Sequence, residues 1–477
     1  MTAYLAIVKL TCRSAIRSHI FRLLLILLLL SIFLLPQTLL GDGTPRGDVQ
    51  LFLQYCLGFA GFILCVSSVW LACSEVSSDI ETAQLHMIAV KPVPRVVVLL
   101  GKYTGVVLIH LALLLIAATV IYVFLSIRLN SSKFSEADRV LLEEQVLTAR
   151  AVYAPERPDF NALAQQELDR RIAAARERGQ SVEQYQDDQR RREEFYEIKR
   201  ELIATRGLIE EGDAVFWQYS GLPNDLDDED IIFLRYTVYV NRYYTQDQNA
   251  VRGQWLFTVN YARPDDDGGE TVVSDLAALP EDDVLTSTRN EMPVPIRTSF
   301  FIRDGRAELG FLNKDTKTAE LNFEEGKGPF LLIRETGFFS NYCRSILVLS
   351  LGIVSVTLLA ASVAACLSLP IAIFFTAAYM LTGGLANYLV NSIPDTIDYQ
   401  PEYTEAFGYQ FGKLMLNLIV PLQDFFVSGR LASGELVSFG FIGGLFAMDV
   451  IVRTVPVFLI GAWIYTRREL ALASKRG

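Results

Sequence analysis

The sequence predicts an α-helical polytopic membrane protein with six transmembrane helices and an inserted extracytoplasmic α+β domain. Apolar runs occupy residues 21–125 and 345–465, whereas the residues between them contain no stretch that is long and apolar enough to span a membrane. The charge divides in the same way. Residues 131–342 hold 41 Asp and Glu against 26 Lys and Arg, a net charge of -15, and the rest holds 13 against 17, which is +4. An acidic chain of this kind argues against nucleic-acid binding.

The spans follow from length, because a helix needs about 20 apolar residues to cross the hydrocarbon core of a bilayer. Residues 23–127 are predicted to contain three spans and residues 343–466 three more. The six segments are Leu23–Leu40, Leu51–Cys73, Thr104–Ile127, Ile346–Leu367, Ile371–Val390 and Phe441–Tyr465. No small-x-small cleavage site follows the first segment, so we predict a retained span rather than a signal peptide.

The orientation follows from Lys and Arg in short flanks, which favour the cytoplasm. Basic residues are found in segments 1–22, 74–102 and 467–477, and six spans place all three segments on the same side. Residues 128–342 are then extracytoplasmic. Residues 1–22 mix apolar side chains with Lys9, Arg13 and Arg17, which predicts an amphipathic cytoplasmic helix at the membrane surface.

The segment between the second and third spans, within residues 74–102, is too polar for a membrane. Ser77 or Ser78 is predicted to cap a short helix with acids in its first turn, where they suit the helix dipole. The helix is expected to end before Pro92, because the residue before a proline disfavours the helical region. The residues expected to act in this segment are Glu75, Asp79, Glu81, Lys91, Arg95 and Lys102.

These motifs resemble the permease subunits of ABC-2 type transporters, particularly the bacterial exporter branch. That family often has an acid ending the second span, an acidic short helix, a Lys-Pro-x-x-Arg stretch and a Gly-Lys entering the third span. The matching residues are Glu75, Asp79-Ile80-Glu81, Lys91-Pro92-Val93-Pro94-Arg95 and Gly101-Lys102. The family's aromatic and basic-basic-Glu ending matches Tyr465 and Arg467-Arg468-Glu469-Leu470. The resemblance covers both membrane halves.

The resemblance implies a multi-pass permease in a bacterial cytoplasmic (inner) membrane, and an exporter rather than an importer. It also implies a second permease copy or a homologous permease, and a cytoplasmic ABC ATPase that docks on residues 75–95. The chain has no Gly-x-x-x-x-Gly-Lys-Ser/Thr motif, so we expect ATP and Mg to bind, and hydrolysis to occur, in that partner. The long insertion departs from the family pattern and is expected to gate the pathway or to recruit an envelope protein.

The insertion divides into a helical region, residues 128–212, and a β-sandwich-like domain, residues 213–342. Ser135 is predicted to cap the first helix, and charged helix on both sides of Gly179 predicts a helical hairpin. Trp217 and Trp255 are expected in the β core, with sugar stacking as the alternative. The predicted strands are Ile231–Asn241, Gln254–Ala262, Arg297–Arg303, Arg306–Asn313, Ala319–Phe323 and Phe330–Arg334, with Asp304-Gly305 as a hairpin turn.

Catalytic and metal sites are not predicted, because the insertion has no histidine and no cysteine before Cys343. Its acidic clusters lack the ligand spacing of a calcium loop. In the sixth span, Asp449 and Arg453 lie on one helical face, as a structural ion pair or as a pair lining a transport pathway. The alternative function is a membrane-anchored extracytoplasmic binding or scaffold protein without transport activity, for which the 75–95 segment would need no ATPase.

Overall fold

The chain forms two compact units, one built from the apolar helices and one from most of the insertion. The computed structural model describes residues 2–38, 44–81, 93–130, 134–178, 188–205, 207–210, 212–224, 226, 231–241, 251–264, 270–278, 284–285, 289–294, 298–314, 320–323, 328–386, 388, 410–412, 414 and 417–467. The first unit takes its described residues from Met1–Ala149 and from Thr336 onward. The second takes them from Arg150–Glu335.

The first unit is helical, and its long helices are apolar because they are built from Leu, Ile, Val, Ala and Phe. The helices are α1 (Thr2–Arg17), α2 (His19–Thr38), α3 (Pro45–Glu81), α4 (Arg95–Leu129), α5 (Glu136–Gln145), and, after the insertion, α9 (Phe338–Cys366), α10 (Leu369–Gly384), a 3-10 turn (Leu422–Phe425), α11 (Ser428–Ala432) and a last helix (Phe439–Arg467).

Four of these helices are long and apolar enough to cross a membrane, which makes the chain a helical, membrane-embedded protein. They are Pro45–Ser78 within α3, α4, α9 and the last helix. The pair α1 and α2 counts as a fifth span if the 70° bend between them is taken as a break in one span. The fifth predicted span appears as α10, which has 16 residues. Of its predicted continuation to Val390, residues 387, 389 and 390 lie outside the described residues.

Close approach of small residues brings the apolar helices together, as is usual in membranes. A Cβ atom added at Gly461 of the last helix would lie 2.8 Å from the Cα of Ser362 in α9. The Tyr342 hydroxyl of α9 donates a hydrogen bond to the Ala118 carbonyl of α4 at 2.7 Å. The last helix is therefore packed directly against α9, and α9 is bonded to α4.

The polar segment after the second span was predicted to begin with a new, capped helix, but it begins as a continuation of α3. Helix α3 continues through Ser77 and Ser78 to Glu81, so neither serine is an N-cap. The Ser78 hydroxyl instead donates to the Glu75 carbonyl at 3.4 Å, a bond that serine makes within a continuing helix. Helix α4 begins at Arg95, earlier than the predicted start of the third span, so Gly101 and Lys102 lie inside it.

The last helix changes its hydrogen-bonding pattern along its length. Phe439–Leu445 and Val455–Arg467 are α-helical, whereas Phe446–Thr454 between them is π-helical. π-Helical stretches are rare and often occur at functional sites. The predicted charged pair of the sixth span lies within this stretch.

The second unit contains the predicted helical hairpin, formed by α6 (Phe160–Glu177) and α7 (Asp188–Thr205). Leu168 of α6 and Ile198 of α7 are buried together in a small core. Arg171 of α6 forms an ion pair with Glu201 of α7 at 2.9 Å. The predicted break at Gly179 falls outside the described residues. Ser135 caps the preceding helix α5 by a capping box with Asp138, as predicted.

The β region forms three small sheets in the described residues rather than a plain two-sheet sandwich. The strands are β1 (Thr148–Tyr153), β2 (Leu208–Ile209), β3 (Ala214–Tyr219), β4 (Phe233–Thr237), β5 (Tyr239–Asn241), β6 (Val251–Pro264), β7 (Glu270–Ala278), β8 (Val284–Leu285), β9 (Arg289–Pro293), β10 (Ala307–Asn313), β11 (Glu320–Asn322) and β12 (Phe330–Gly337). The sheet orders are β1-β12-β4-β9, then β3-β10-β6-β7 with β8 paired to β6, and β2-β11-β5.

One aromatic core lies beneath these sheets and contains both predicted tryptophans. Trp255 is fully buried, Trp217 is 5% exposed, and their ring centroids are 6.2 Å apart. Phe311 lies opposite Trp255 in the antiparallel pairing of β10 with β6. The prediction that both tryptophans pack in the core is confirmed.

Three predictions for the insertion need correction. The predicted strand Arg297–Arg303 contains the short helix α8 (Thr298–Phe301), because Phe301 is buried against Phe257 at a centroid distance of 5.5 Å. The turn after it is as predicted: Asp304 and Gly305 both have positive φ, as a type I′ turn requires. Strands β1 and β2 lie inside the region predicted to be helical, and helix α9 begins inside the region predicted as β.

Candidate functional site

Several sequence-predicted residues meet at the end of the first unit where α3 ends and α4 begins, called here the loop end. Glu75 lies near the C-terminus of α3, and Lys102 lies in the second turn of α4. The Lys102 ammonium donates a hydrogen bond to the Glu75 carbonyl oxygen and lies 4.0 Å from its carboxylate. Lys102 is only 7% exposed, so this contact, called the loop-end pair, is a buried link between two long helices.

Arg95 links the same end to the last helix. Its guanidinium donates a hydrogen bond to the Thr466 carbonyl oxygen at 3.1 Å. That carbonyl belongs to the last turn of the helix, where carbonyl groups have no partner within the helix and attract cations. The first residue of α4 is therefore tied to the final turn of the last helix.

Helix α1 joins the loop end from the other side of α4. The Tyr4 and Thr104 hydroxyls are 2.7 Å apart. A Cβ atom added at Gly105 would lie 2.7 Å from the Thr11 Cβ, so the glycine allows α1 to lie directly on the start of α4. The α1 residues Val8, Thr11 and Ala15 that face this contact are buried, as expected for an amphipathic helix.

An ion pair that the sequence analysis missed joins α3 and α4 at the opposite end. Asp48 accepts two hydrogen bonds from Arg128, at 2.6 Å from Nη2 and 3.0 Å from Nε. The Arg128 guanidinium also lies 5.5 Å from the Phe52 ring centroid. This two-point contact, called the opposite-end pair, is the geometry in which an arginine fork matches a carboxylate.

Position along the helices separates the two pairs by the thickness of a bilayer. Asp48 and Glu75 are about 40 Å apart along α3 at the rise of an α-helix, which matches a membrane with its head groups. Between the pairs, His110 of α4 lies 3.1 Å from the Ser67 hydroxyl of α3, in the same antiparallel register. Helices α3 and α4 are thus connected near both ends of their contact and once between these ends.

The predicted charged pair of the last helix also forms. Arg453 donates a hydrogen bond to the Asp449 carboxylate within the π-helical stretch. The Asp449 side chain is 5% exposed and that of Arg453 is 21% exposed. The Thr454 hydroxyl donates to the Asp449 carbonyl at 2.6 Å. This contact, called the last-helix pair, joins two turns of one helix.

The remaining predicted residues of the loop end are less fully described. Asp79 and Glu81 lie in the last turns of α3, and their side chains are outside the described residues, as is all of Lys91.

The sequence does contain one signal for the Asp48–Arg128 pair: the two residues have opposite charges and lie at the far ends of two neighbouring spans. In the part of the chain that the structure describes, no group of three His, Cys, Asp or Glu residues is placed to hold a metal ion.

Comparisons with known proteins do not identify a family for this chain. No protein-family model, no curated protein and no solved structure matches the chain.

Proposed function

We propose that this chain is the permease subunit of an ABC-2 type ATP-driven transporter, an exporter in a bacterial cytoplasmic membrane. A separate cytoplasmic ATPase binds ATP and Mg and docks at the loop end. The observation that carries the proposal is the pairing of α3 with α4 at both ends. Because α3 and α4 are joined to each other at both ends, they would move together as a rigid body. A displacement of the segment between them would therefore reach the opposite end of the unit.

The contacts of Arg95 and α1 extend that motion to other elements. A force on the segment that leads into α4 would be passed to the last helix through the Arg95–Thr466 hydrogen bond. It would be passed to α1 through the Tyr4–Thr104 contact. A permease needs this property, since binding energy released at a docked ATPase has to rearrange several helices together.

The directions of the helices support six crossings with both termini at the loop end. Phe21 and Phe33 of α2 contact His110 and Phe124 of α4 in turn, so these helices are parallel. Helix α9 runs parallel to α3, and its Ala360 carbonyl accepts a hydrogen bond from the Cys73 thiol of α3. Successive crossings therefore alternate in direction, in the order α2, α3, α4, α9, α10 and last helix. Lys and Arg in the short flanks favour a cytoplasmic loop end and an extracytoplasmic insertion.

The export pathway is proposed to lie between two permease copies or between this chain and a homologous permease. The last-helix pair is the proposed pathway element, because a buried ion pair within a span is costly and usually has a function. The insertion is proposed to recruit an envelope protein on the outer side.

Co-purification tests the proposal. The tagged full chain is purified in mild detergent, and recovered proteins are searched for the phosphate-binding Gly-x-x-x-x-Gly-Lys-Ser/Thr motif. We expect an ATPase with this motif to be recovered with the wild type and to be lost with the triple variant D79A/E81A/R95A. The matched control is D48N/R128Q, which removes charges at the opposite end and should retain the ATPase.

A different outcome would favour the binding or scaffold alternative. Recovery of envelope proteins only, with no ATPase in several detergents, would exclude the permease. One observation favours a binding role for the second unit: a cavity of about 580 Å³ with a polar lining, in which Thr258 and Gln218 donate to Glu308. Binding of a polar ligand there is compatible with either function, so the ATPase decides between them.

A further inference from the structure

The cavity of about 580 Å³ in the second unit, called here the β cavity, has a floor of polar side chains from three paired strands. They are Gln218 of β3, Glu308 of β10 and Thr258 of β6, and Gln218 lies directly opposite Glu308 in the strand pairing. The strand neighbours of these three residues are buried in the aromatic core, so the row lies on the opposite face of the sheet. The volume is in the range typical of small-molecule sites.

Glu308 gives the floor a carboxylate that can still accept hydrogen bonds. The Thr258 hydroxyl donates to one of its oxygens at 2.8 Å and the Gln218 amide to the other at 3.5 Å. Both donors are neutral, and Glu308 forms no ion pair within the described residues. A carboxylate has about four acceptor positions, so Glu308 is held in place and remains able to accept from a cation.

Arg303 and Arg306 contribute two guanidinium groups to the lining of the same cavity. They lie opposite each other across the hairpin turn, because their backbones exchange two hydrogen bonds at 2.9 and 2.8 Å. Their side chains therefore share one face of the hairpin, where like charges repel. The nearest carboxylate to Arg303, that of Asp304 at 3.7 Å, is 89% exposed, and exposed pairs are weak. Neither guanidinium donates a hydrogen bond to a residue that the structure describes, so both can donate to an anion.

Arg306 and Glu308 bring opposite charges to one cavity without neutralising each other. They flank the buried Ala307, so the alternation of an extended chain places both side chains on the same face, with Cα atoms about 7 Å apart. They form no ion pair with each other. Separate charges of opposite sign in one cavity match a ligand that carries both an anionic and a cationic group. An arginine fork fits a carboxylate, and a carboxylate accepts from an ammonium group.

We propose that the β cavity binds a short peptide by its free ends, with the peptide carboxylate on Arg303 and Arg306 and the ammonium group on Glu308. A neutral sugar would hydrogen-bond to the same side chains but would leave both charges without a counter-charge. The site is independent of the proposed function, because it lies wholly within the second unit. A failure to recover an ATPase would therefore leave peptide binding unchanged, and a failure to bind peptide would leave the permease proposal unchanged.

Isothermal titration calorimetry of the full chain in mild detergent tests the proposal. The probes are a series of Ala-X dipeptides, in which X is varied, and the N-acetylated and C-amidated forms of each. We expect members of the series to bind to the wild type. The N-acetylated form lacks the ammonium group and the amidated form lacks the carboxylate. Each should bind about 10- to 100-fold more weakly, the range for losing a hydrogen bond between charged groups.

Two single variants separate the two ends of the ligand. R306Q should bind the free dipeptide about 10-fold more weakly or worse, but the amidated form as the wild type does, because that form has no carboxylate to lose. E308Q should weaken binding of the free dipeptide similarly and leave binding of the N-acetylated form unchanged. The unchanged value in each case also shows that the variant is folded. The matched control R334Q changes an exposed arginine of β12 outside the cavity and should bind as the wild type does.

Three results would overturn the proposal. No binding of any dipeptide of the series to the wild type would remove the peptide as ligand. Equal affinity for the free, acetylated and amidated forms would show that neither charged end is recognised. Displacement of a bound dipeptide by maltose at a similar concentration would assign the cavity to a neutral sugar instead.

Discussion

The ion pairs of the apolar helices differ in what they join. The loop-end and opposite-end pairs each connect α3 to α4, whereas the last-helix pair connects two turns of the same helix. The first two lie in regular α-helix and the third in a π-helical stretch. This difference indicates a division into a rigid hairpin, α3 with α4, and a more compliant last helix, because π-helical stretches are short, rare distortions of an α-helix.

The largest effect is expected from breaking the loop-end pair. Lys102→Met keeps the length of the side chain but leaves the Glu75 carboxylate, 14% exposed, without its cation. Removing one partner of a buried ion pair lowers the free energy of unfolding by about 3–5 kcal/mol. Unfolding of the purified chain in mixed micelles, followed by tryptophan fluorescence as the denaturing detergent increases, measures this loss.

The control for that variant is Lys9→Met, which changes an exposed lysine of α1 and should leave the unfolding curve unchanged. The double variant E75Q/K102M should recover most of the loss, because no unpaired charge then remains. A loss below about 1 kcal/mol in K102M would mean that the loop-end pair does not hold the hairpin together.

Breaking the opposite-end pair should cost less. Asp48→Asn removes the charge from two hydrogen bonds, but the side chains of Arg128 and Asp48 are 19% and 25% exposed, so water can replace part of the contact. We expect the free energy of unfolding to fall by about 2 kcal/mol, the range for hydrogen bonds to charged groups. The same unfolding assay measures it, and the exchanged pair D48R/R128D should recover part of the loss. No recovery would show that the two side chains do not depend on each other.

Local sequence patterns predicted the apolar helices well but did not predict which residues of different helices contact each other. Runs of Leu, Ile and Val predicted the apolar helices, and the spacing of Asp449 and Arg453 predicted their pair because four residues make one helical turn. Asp48 and Arg128 were missed because their contact depends on the register between two helices, which no local pattern contains. Ser77 and Ser78 were misread as caps because α3 continues past both of them to Glu81, and the Ser78 hydroxyl bonds to the backbone of its own helix instead.

The β region shows the same limit of local patterns. The turn at Asp304-Gly305 was predicted correctly because positive φ at both positions is a local requirement. The segment before it was predicted as a strand from its aromatic and β-branched residues, yet burial of Phe301 against Phe257 is satisfied by a helical turn. The pairing of β1 with β12 joins residues far apart in the chain, and no sequence pattern predicted it.

A smaller effect is expected at helix α5, which follows α4 beyond the opposite-end pair. Hydrogen bonds from the Ser135 hydroxyl and backbone hold the pKa of the Asp138 carboxyl below its ordinary value of 3.8. Because the folded pKa is the lower one, the capping contribution is fully present above pH 3.8 and is lost as the pH falls through the folded value. Ser135→Ala should raise this pKa towards 3.8, which a carbon-13 NMR titration of Asp138 measures.

The stability of that variant also tests which contact anchors the opposite end of the hairpin. If the opposite-end pair anchors that end, S135A should lower the stability of the whole chain less than D48N does. The control Ser220→Ala changes an exposed serine of the second unit that caps no helix. A loss in S135A equal to that in D48N would assign the anchoring role to α5 instead.

The smallest effect on stability is expected from removing the whole last-helix pair. D449A/R453A takes away both buried charges, and replacing a buried pair by apolar residues is often neutral, so the free energy of unfolding should change by less than about 1 kcal/mol. Arg453→Ala alone should cost more, because Asp449 stays buried without its partner. The unfolding assay used for the hairpin gives both values.

Amide hydrogen exchange then separates compliance from stability. If the last helix is the compliant element, peptides covering Phe446–Thr454 should exchange faster than those covering Leu51–Cys73 of α3, since exchange in the native state reports local opening. D449A/R453A should change the exchange rate of the π-helical stretch only, and K102M should change that of α3 and α4. Equal protection of both regions in the wild type would contradict the division, because the π-helical stretch would then be no more compliant than the hairpin.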